Sequence, residues 1–127
     1  MPIKVVDVMT SSPVSAGPES TCRQLAELMA EHDISCLLIA GDKGLSGIVT
    51  ERDLVRKILI PGLDAGAITA SDIMSKPVVT ATPEMEVDAA ARLMRDNGIK
   101  KLAVIEDGVV RGVVTSFDLV YAEPVIK

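Results

Sequence analysis

Short dense apolar runs and amphipathic stretches alternate along the chain, and their order occurs twice. Across 21–32, Cys22, Leu25, Leu28 and Met29 recur at three- and four-residue intervals, which puts them on one helical face. Thr21 followed by Gln24 has the spacing of a capping box, so the helix is predicted to start there. The run 36–40 (CLLIA) is strand-sized, the stretch Gly41-Asp42-Lys43-Gly44 reads as a turn, and 45–49 reads as the returning strand. A second helix is predicted over 51–60. The same order then recurs. Val87, Ala90, Ala91 and Met94 point inward from a helix over 86–96, and Asn97-Gly98 is its stop signal. Strands over 102–105 and 109–114 flank the turn Glu106-Asp107-Gly108, and a shorter helix over 116–122 follows. Short lead-in strands are expected near Val14 and Val79.

Sliding the chain by 65 residues aligns its halves without a gap. Val8-Met9-Thr10 meets Ile73-Met74-Ser75, Pro18-Glu19 meets Pro83-Glu84, and Gly47-Ile48-Val49-Thr50 meets Gly112-Val113-Val114-Thr115. Asp53-Leu54-Val55 meets Asp118-Leu119-Val120. The organisation is therefore repeat 1 over 5–59, a linker over 60–69 carrying Pro61, Gly62 and Gly66, and repeat 2 over 70–122. The predicted fold is α+β: tandem β-α-β-β-α repeats with pseudo-two-fold symmetry, sheets face to face and helices outside. A unit of roughly 60 residues is marginal alone, and two copies can cover each other's sheets. Remaining helix faces, taken to carry Met29 and Met94, predict a homodimer with two-fold symmetry.

Composition narrows the function. Apolar residues make up 48% of the 127 positions and charged residues 24%, as in ordinary globular proteins. The net charge of −5 argues against nucleic-acid or anionic-membrane partners. The aromatics, Phe117 and Tyr121, are too few for a base-stacking platform. No apolar run is long enough to span a membrane, the N-terminus has no signal-peptide pattern, and two cysteines make no disulfide framework. A cytoplasmic protein with reduced thiols is expected.

Catalytic and metal chemistry find little support. His32 is the single histidine and sits at a predicted helix C-terminus, where an imidazole suits the helix dipole. Cys22, His32 and Cys36 are three soft ligands, but Cys22 and His32 lie about 280° apart around one helix and do not converge. Phosphate-loop and dinucleotide fingerprints are absent. No catalytic residue, metal or catalytic cofactor is expected.

The informative motif is T-x-x-D at the junction of the last strand and last helix: Thr50-Glu51-Arg52-Asp53 and Thr115-Ser116-Phe117-Asp118. T-x-x-D is a helix-capping pattern. The same geometry presents backbone N–H groups to a phosphate, while the acceptor-only carboxylate can take two ribose hydroxyls. Arg56 and Lys57 read as solvated surface.

The duplicated pattern "DVMT…PV…P…LAELM…DISCLLI…GIVTERDLV" resembles the CBS (cystathionine beta-synthase) domain pair, or Bateman module, over almost the whole chain. The resemblance implies an adenine-containing regulatory ligand (AMP, ADP, ATP or an adenosyl compound) held where the repeats meet, with Asp on the ribose and Thr near the phosphate. It implies composite sites. Site A joins Thr50, Arg52 and Asp53 to Ser75, Val79, Ile99 and Lys100. Site B joins Thr115 and Asp118 to Thr10, Pro13, Val14, Ile34, Ser35 and Cys36. Val79 with Ile99, or Val14 with Ile34, would sandwich the adenine. Arg52 and Lys100 favour site A for phosphate, since site B has Phe117 and Ser35-Cys36 instead. The implied function is a non-catalytic sensor that shifts conformation on binding and is read by a partner protein. The alternative is a ligand-free scaffold whose T-x-x-D motifs only cap helices.

Overall fold

The computed structural model of the chain describes residues 2–11, 14–76 and 78–122, the side chains of Tyr121 and Ala122 excepted. In chain order the elements are α1 (Val5–Val8), β1 (Thr10–Ser11), β2 (Ser15–Ala16), α2 (Cys22–His32), β3 (Cys36–Gly41), β4 (Gly44–Thr50), α3 (Glu51–Leu54), α4 (Ala70–Ile73), β5 (Thr80–Ala81), α5 (Val87–Asn97), β6 (Lys101–Glu106), β7 (Val109–Thr115) and α6 (Ser116–Ala122). A π-helical turn, Val55–Leu59, continues α3. The fold is mixed α+β with two sheets. No helix is long and apolar enough to cross a membrane among the described residues.

The long helices begin and end where their residues dictate. Thr21 Oγ1 accepts the Gln24 N–H at 3.1 Å and Gln24 Oε1 accepts the Thr21 N–H at 2.9 Å, so two donors at the start of α2 are satisfied. Both helices end in a left-handed residue, Asp33 after α2 (φ 53°) and Gly98 after α5 (φ 63°). Cys22, Leu25 and Met29 are buried on α2, and Val87, Ala90 and Met94 on α5. Met29 and Met94 are only 2% and 4% exposed, as the helical stripes predict, and so do not form the outer face also expected of them for dimerisation. Each lies seven residues beyond the first buried residue of its helix, on the same inward stripe. Ala91, expected inward, is exposed, one position off that stripe.

The helix predicted over 51–60 changes register. Past Leu54 its bonds become i to i+5: the Ile60 N–H donates to Val55 O at 2.9 Å, and the Leu63 N–H to Ile58 O at 2.9 Å. Ile58 is buried there, while Leu59 and Ile60 are each 73% exposed.

Two compact units emerge, each with its own aliphatic core. The first is Val14–Val78. Its sheet order is β2-β3-β4, with β2 parallel and β4 antiparallel to β3. Its core holds Cys22, Leu25, Met29, Leu37, Ile39, Val49, Ile58, Ala70 and Ile73. The second combines the N-terminal segment with the chain from Val79 onward. Its sheet order is β1-β7-β6-β5, and its core includes Val5, Val87, Met94, Leu102, Val104, Val114 and Leu119. The units therefore differ from the sequence repeats by an exchange of leading segments. β1, at the head of repeat 1, pairs antiparallel with β7 of repeat 2, Thr10 opposite Val113. Ser75, at the head of repeat 2, bridges Ile48 on β4 of repeat 1.

The exchange depends on two glycines at matching positions. A Cβ on Gly47 would lie 2.7 Å from both Cγ and Sδ of Met74. A Cβ on Gly112 would lie 2.5 Å from the Thr10 backbone oxygen and 2.8 Å from Met9 Sδ. Each strand admits a crossing segment only where it carries no side chain. A methionine can swing aside, whereas a paired carbonyl cannot. Gly112→Ala is therefore expected to cost about 1–3 kcal/mol, the range for overpacking, and Gly47→Ala less. Urea unfolding of both variants checks the order, and equal losses would contradict it.

Candidate functional site

The T-x-x-D motifs adopt the same local structure in both units. In the first, the Thr50 N–H donates to Asp53 Oδ2 at 2.9 Å and the Asp53 N–H donates to Thr50 Oγ1 at 3.1 Å. In the second, the Thr115 N–H donates to Asp118 Oδ2 at 2.9 Å and the Asp118 N–H to Thr115 Oγ1 at 3.1 Å. These are reciprocal capping boxes, so the capping role read from the sequence is present. The turn after the preceding helix supplies a further partner: the Glu51 N–H donates to Ser35 O at 2.9 Å, and the Ser116 N–H to Lys100 O at 2.8 Å. Two of the first three N–H groups of α3 and α6 are thus already bonded. The helix termini offer a phosphate less capacity than the motif alone implies. What each carboxylate has outside the cap is Oδ1, on a half-buried side chain in the first turn of the helix.

The residues assigned to the two sites divide between the units. Thr50, Arg52, Asp53 and Ser75 of site A belong to the first unit, and Val79, Ile99 and Lys100 to the second. Ser75 and Ile48 exchange both backbone hydrogen bonds, at 2.9 and 3.2 Å, on the strand that ends at Thr50. Arg52 is exposed, and Ile99 packs against the second core. Of site B, Thr10, Thr115 and Asp118 belong to the second unit, with Thr10 paired to the strand that ends at Thr115. Val14, Ile34, Ser35 and Cys36 belong to the first unit, where Val14 and Ile34 pack against its core. Pro13 lies outside the described residues. Each unit thus gathers one T-x-x-D motif and the leading segment assigned to it.

One partner of this site was read as solvated surface. Lys57 Nζ lies 3.6 Å from Asp53 Oδ1 and donates to the Ile73 carbonyl at 2.8 Å. The signal was available in the four-residue spacing from Asp53 to Lys57, which places the two on one helical face. In repeat 2 the matching residue is Ala122.

An open groove of about 620 Å³ runs along α5 and α6, lined by Val87, Ala91, Met94, Ile99, Leu119 and Val120 and rimmed by Asp88, Arg95 and Lys100. Cys22 is buried, and burial, with Asp72 nearby, pushes its thiol above the ordinary range, which makes it a poor nucleophile. No group of three or more His, Cys, Asp or Glu residues is arranged to hold a metal ion among the described residues.

The sequence pattern of the CBS domain matches residues 5–60 and 70–124. An uncharacterized protein of Methanopyrus kandleri is 38% identical over 124 residues, which cover 96% of this chain and 63% of that protein. The chain thus spans less than two thirds of that relative's length. Among solved structures, the CBS domain pair of protein MJ0100, in complex with 5′-methylthioadenosine and S-adenosyl-L-methionine, superposes with a TM-score of 0.88 at 26% identity, covering both chains completely. A hexameric CBS-CP12 protein from bloom-forming cyanobacteria superposes with a TM-score of 0.90 at 28% identity, covering all of this chain and 76% of that one.

The capping boxes set a stability cost that any functional variant must be corrected for. Thr50→Ala and Thr115→Ala should each lower stability by about 0.5–2 kcal/mol, the range for a lost N-cap. Thermal melts of the unliganded variants measure it, and unchanged melting would remove the motifs' structural role.

Proposed function

The chain belongs to the CBS domain family as a tandem pair, and on that footing we propose that it is a non-catalytic sensor of adenine nucleotides or adenosyl compounds. The observation that carries this reading is the pair of T-x-x-D carboxylates. Each spends Oδ2 on its own helix cap and has Oδ1 outside the cap, on a side chain that is not fully buried; at Asp53 that oxygen faces Lys57 Nζ at 3.6 Å. A carboxylate oxygen accepts hydroxyl donors and suits a ribose diol. The related pair that holds two adenosyl compounds supports the ligand class. Site A keeps Arg52 and Lys100 for phosphate, and site B, without cations at those positions, is the better match for an uncharged adenosyl group. Ligand would favour one conformation of the pair, and a partner protein would read that conformation. A second reading has its own support: the reciprocal caps use every motif Thr and Asp, so a ligand-free scaffold needs nothing further from them.

We also propose self-association through the faces that follow the T-x-x-D motifs. Leu59, Ile60 and Leu63 of the first unit and Phe117 and Val120 of the second are exposed large apolar side chains. A second copy is the occupant, since two-fold pairing covers identical apolar patches with each other. Light scattering at tens of micromolar should return a dimer mass, and Leu59→Glu should lower it. A monomer mass for the wild type would reject the interface.

Calorimetric titration with AMP, ADP, ATP, 5′-methylthioadenosine and S-adenosyl-L-methionine separates sensor from scaffold. AMP should bind about 5- to 150-fold more tightly than 2′-deoxy-AMP, because an unmet buried acceptor costs about 1–3 kcal/mol. Asp53→Ala should weaken AMP by about 1.5–3 kcal/mol, and Asp118→Ala by less. Equal affinity for the two sugars would take the carboxylates off the ribose. Absence of binding across the panel, with both variants melting lower, would leave the scaffold reading standing.

A further inference from the structure

We propose that Lys57 is a positioning residue: a latch that ties the Asp53 carboxylate to the segment by which the chain leaves the first unit, and that a ligand on Asp53 releases. The proposal rests on the nucleotide reading above for its ligand, but its mechanical half stands on the unliganded structure. Lys57 Nζ makes its short contact, 2.8 Å, with the carbonyl of Ile73, the last residue of α4. The last carbonyls of a helix lack partners within it, and an ammonium is a strong donor for one. Immediately beyond lie Met74, which packs over Gly47, and Ser75, which exchanges two backbone hydrogen bonds with Ile48. The first unit ends at Val78. Lys57 therefore grips the root of the crossing segment.

The other end of the latch is weaker. Asp53 Oδ2 is held by the Thr50 N–H, which leaves Oδ1 to face the ammonium at 3.6 Å. That distance is an ion pair longer than a hydrogen bond. A ribose hydroxyl donating to Oδ1 at ordinary hydrogen-bond length takes the place beside that oxygen and displaces the ammonium from it, which weakens the ion pair although the carboxylate keeps its charge. Ligand and latch compete for one oxygen. By linkage, a ligand that loosens the latch binds more tightly when the latch is absent. Repeat 2 has Ala122 at the position of Lys57, so no ammonium stands at the matching place. Occupancy of the repeat 1 motif is thus the event transmitted to a crossing segment in this way, and occupancy of Asp118 is not.

The test uses the full chain, with amide hydrogen exchange read by NMR with and without saturating AMP, and calorimetry alongside. In the wild type, AMP should speed exchange at Ile48 and Ser75. In Lys57→Met, those amides should exchange roughly three- to tenfold faster before ligand is added, the scale of one ordinary net hydrogen bond on a partly exposed side chain. AMP should then change them no further, and should bind about two- to fivefold more tightly, the scale of a partly exposed ion pair. Lys57→Arg, which keeps charge and donors, should restore the slow exchange and the response. The amides pairing β1 with β7 are the reference and should not move. Wild-type rates at Ile48 and Ser75 in Lys57→Met would overturn the latch, as would uniformly faster exchange across the first unit. A persistent AMP response in Lys57→Met, or weaker binding by it, would overturn the competition. If the wild type binds no AMP, the nucleotide reading and the release step both fail, and the unliganded exchange still decides whether Lys57 holds the segment.

Discussion

Close backbone crossing at Gly47 and Gly112 is the constraint on which the arrangement of this chain depends. At each glycine a segment from the other repeat passes over the last strand, where a Cβ would meet the Thr10 backbone oxygen at Gly112 and the movable Met74 side chain at Gly47. On β7 the crossing segment forms a paired strand, and on β4 a two-bond bridge. The crossing covers a strand edge that would otherwise expose unpaired N–H and C=O groups. It also decides which residues share a unit. The carbonyl of Thr10 and the side chain of Met74 lie against strands 65 positions from their own repeat's equivalents, so neither repeat is a closed structural unit by itself. Each strand then runs straight into its T-x-x-D motif. The crossing therefore sets a leading segment beside the strand that leads into each T-x-x-D motif.

The Asp carboxylate of each motif has an observed role as a helix cap and a proposed one as a ribose acceptor, with different demands. As a helix cap it needs one oxygen and a fixed geometry, and the reciprocal bonds at 2.9 and 3.1 Å provide both. As a ribose acceptor it needs an oxygen in a fixed place that is still accessible. Capping supplies the fixed place: an Asp whose Oδ2 is held by its own helix start presents Oδ1 with little rotational freedom to lose on binding. The capping role of T-x-x-D is for this reason compatible with the proposed ligand role.

The fold was legible where one residue type has one physical reason to occupy its position. The capping boxes at Thr21, Thr50 and Thr115, the left-handed stop at Gly98 and the Asp107-Gly108 hairpin turn follow from local chemistry, and the structure has them all. The periodic stripes were legible too, and the seven-residue spacing of Met29 and Met94 from Cys22 and Val87 puts both inside, which removes the outer dimer face also expected of them. Two features were not legible. The exchange of leading segments is a tertiary choice, and Gly47 and Gly112 marked it only as aligned glycines in strands. The π-helical turn at Val55–Leu59 follows from no local preference, since VRKIL is a sound α-helical sequence. At the candidate site, the capping residues were read from spacing. Lys57 was set aside as surface because its main partner, the Ile73 carbonyl, is a backbone atom that no side-chain pattern announces.

The duplication is more symmetric in backbone than in chemistry. Capping boxes, hairpins and crossings recur at matching positions, whereas side chains around them diverge. Arg52 faces Phe117 across the alignment, Asp33 faces Gly98, Lys57 faces Ala122, and Lys100 faces Ser35. Backbone features have to be kept in both copies, because losing a cap or a crossing glycine costs folding free energy on the order of 1 kcal/mol or more each. Side chains that only surround the motif carry no such penalty and are at liberty to specialise. The first motif has thus acquired cations, one of which is bonded to the crossing segment, while the second has acquired an aromatic ring and no ammonium at the matching position. A chain with two equal motifs would answer a ligand at either one alike. With Lys57 beside the first motif and Ala122 at the matching position of the second, the two motifs have the same cap and different mechanical connections.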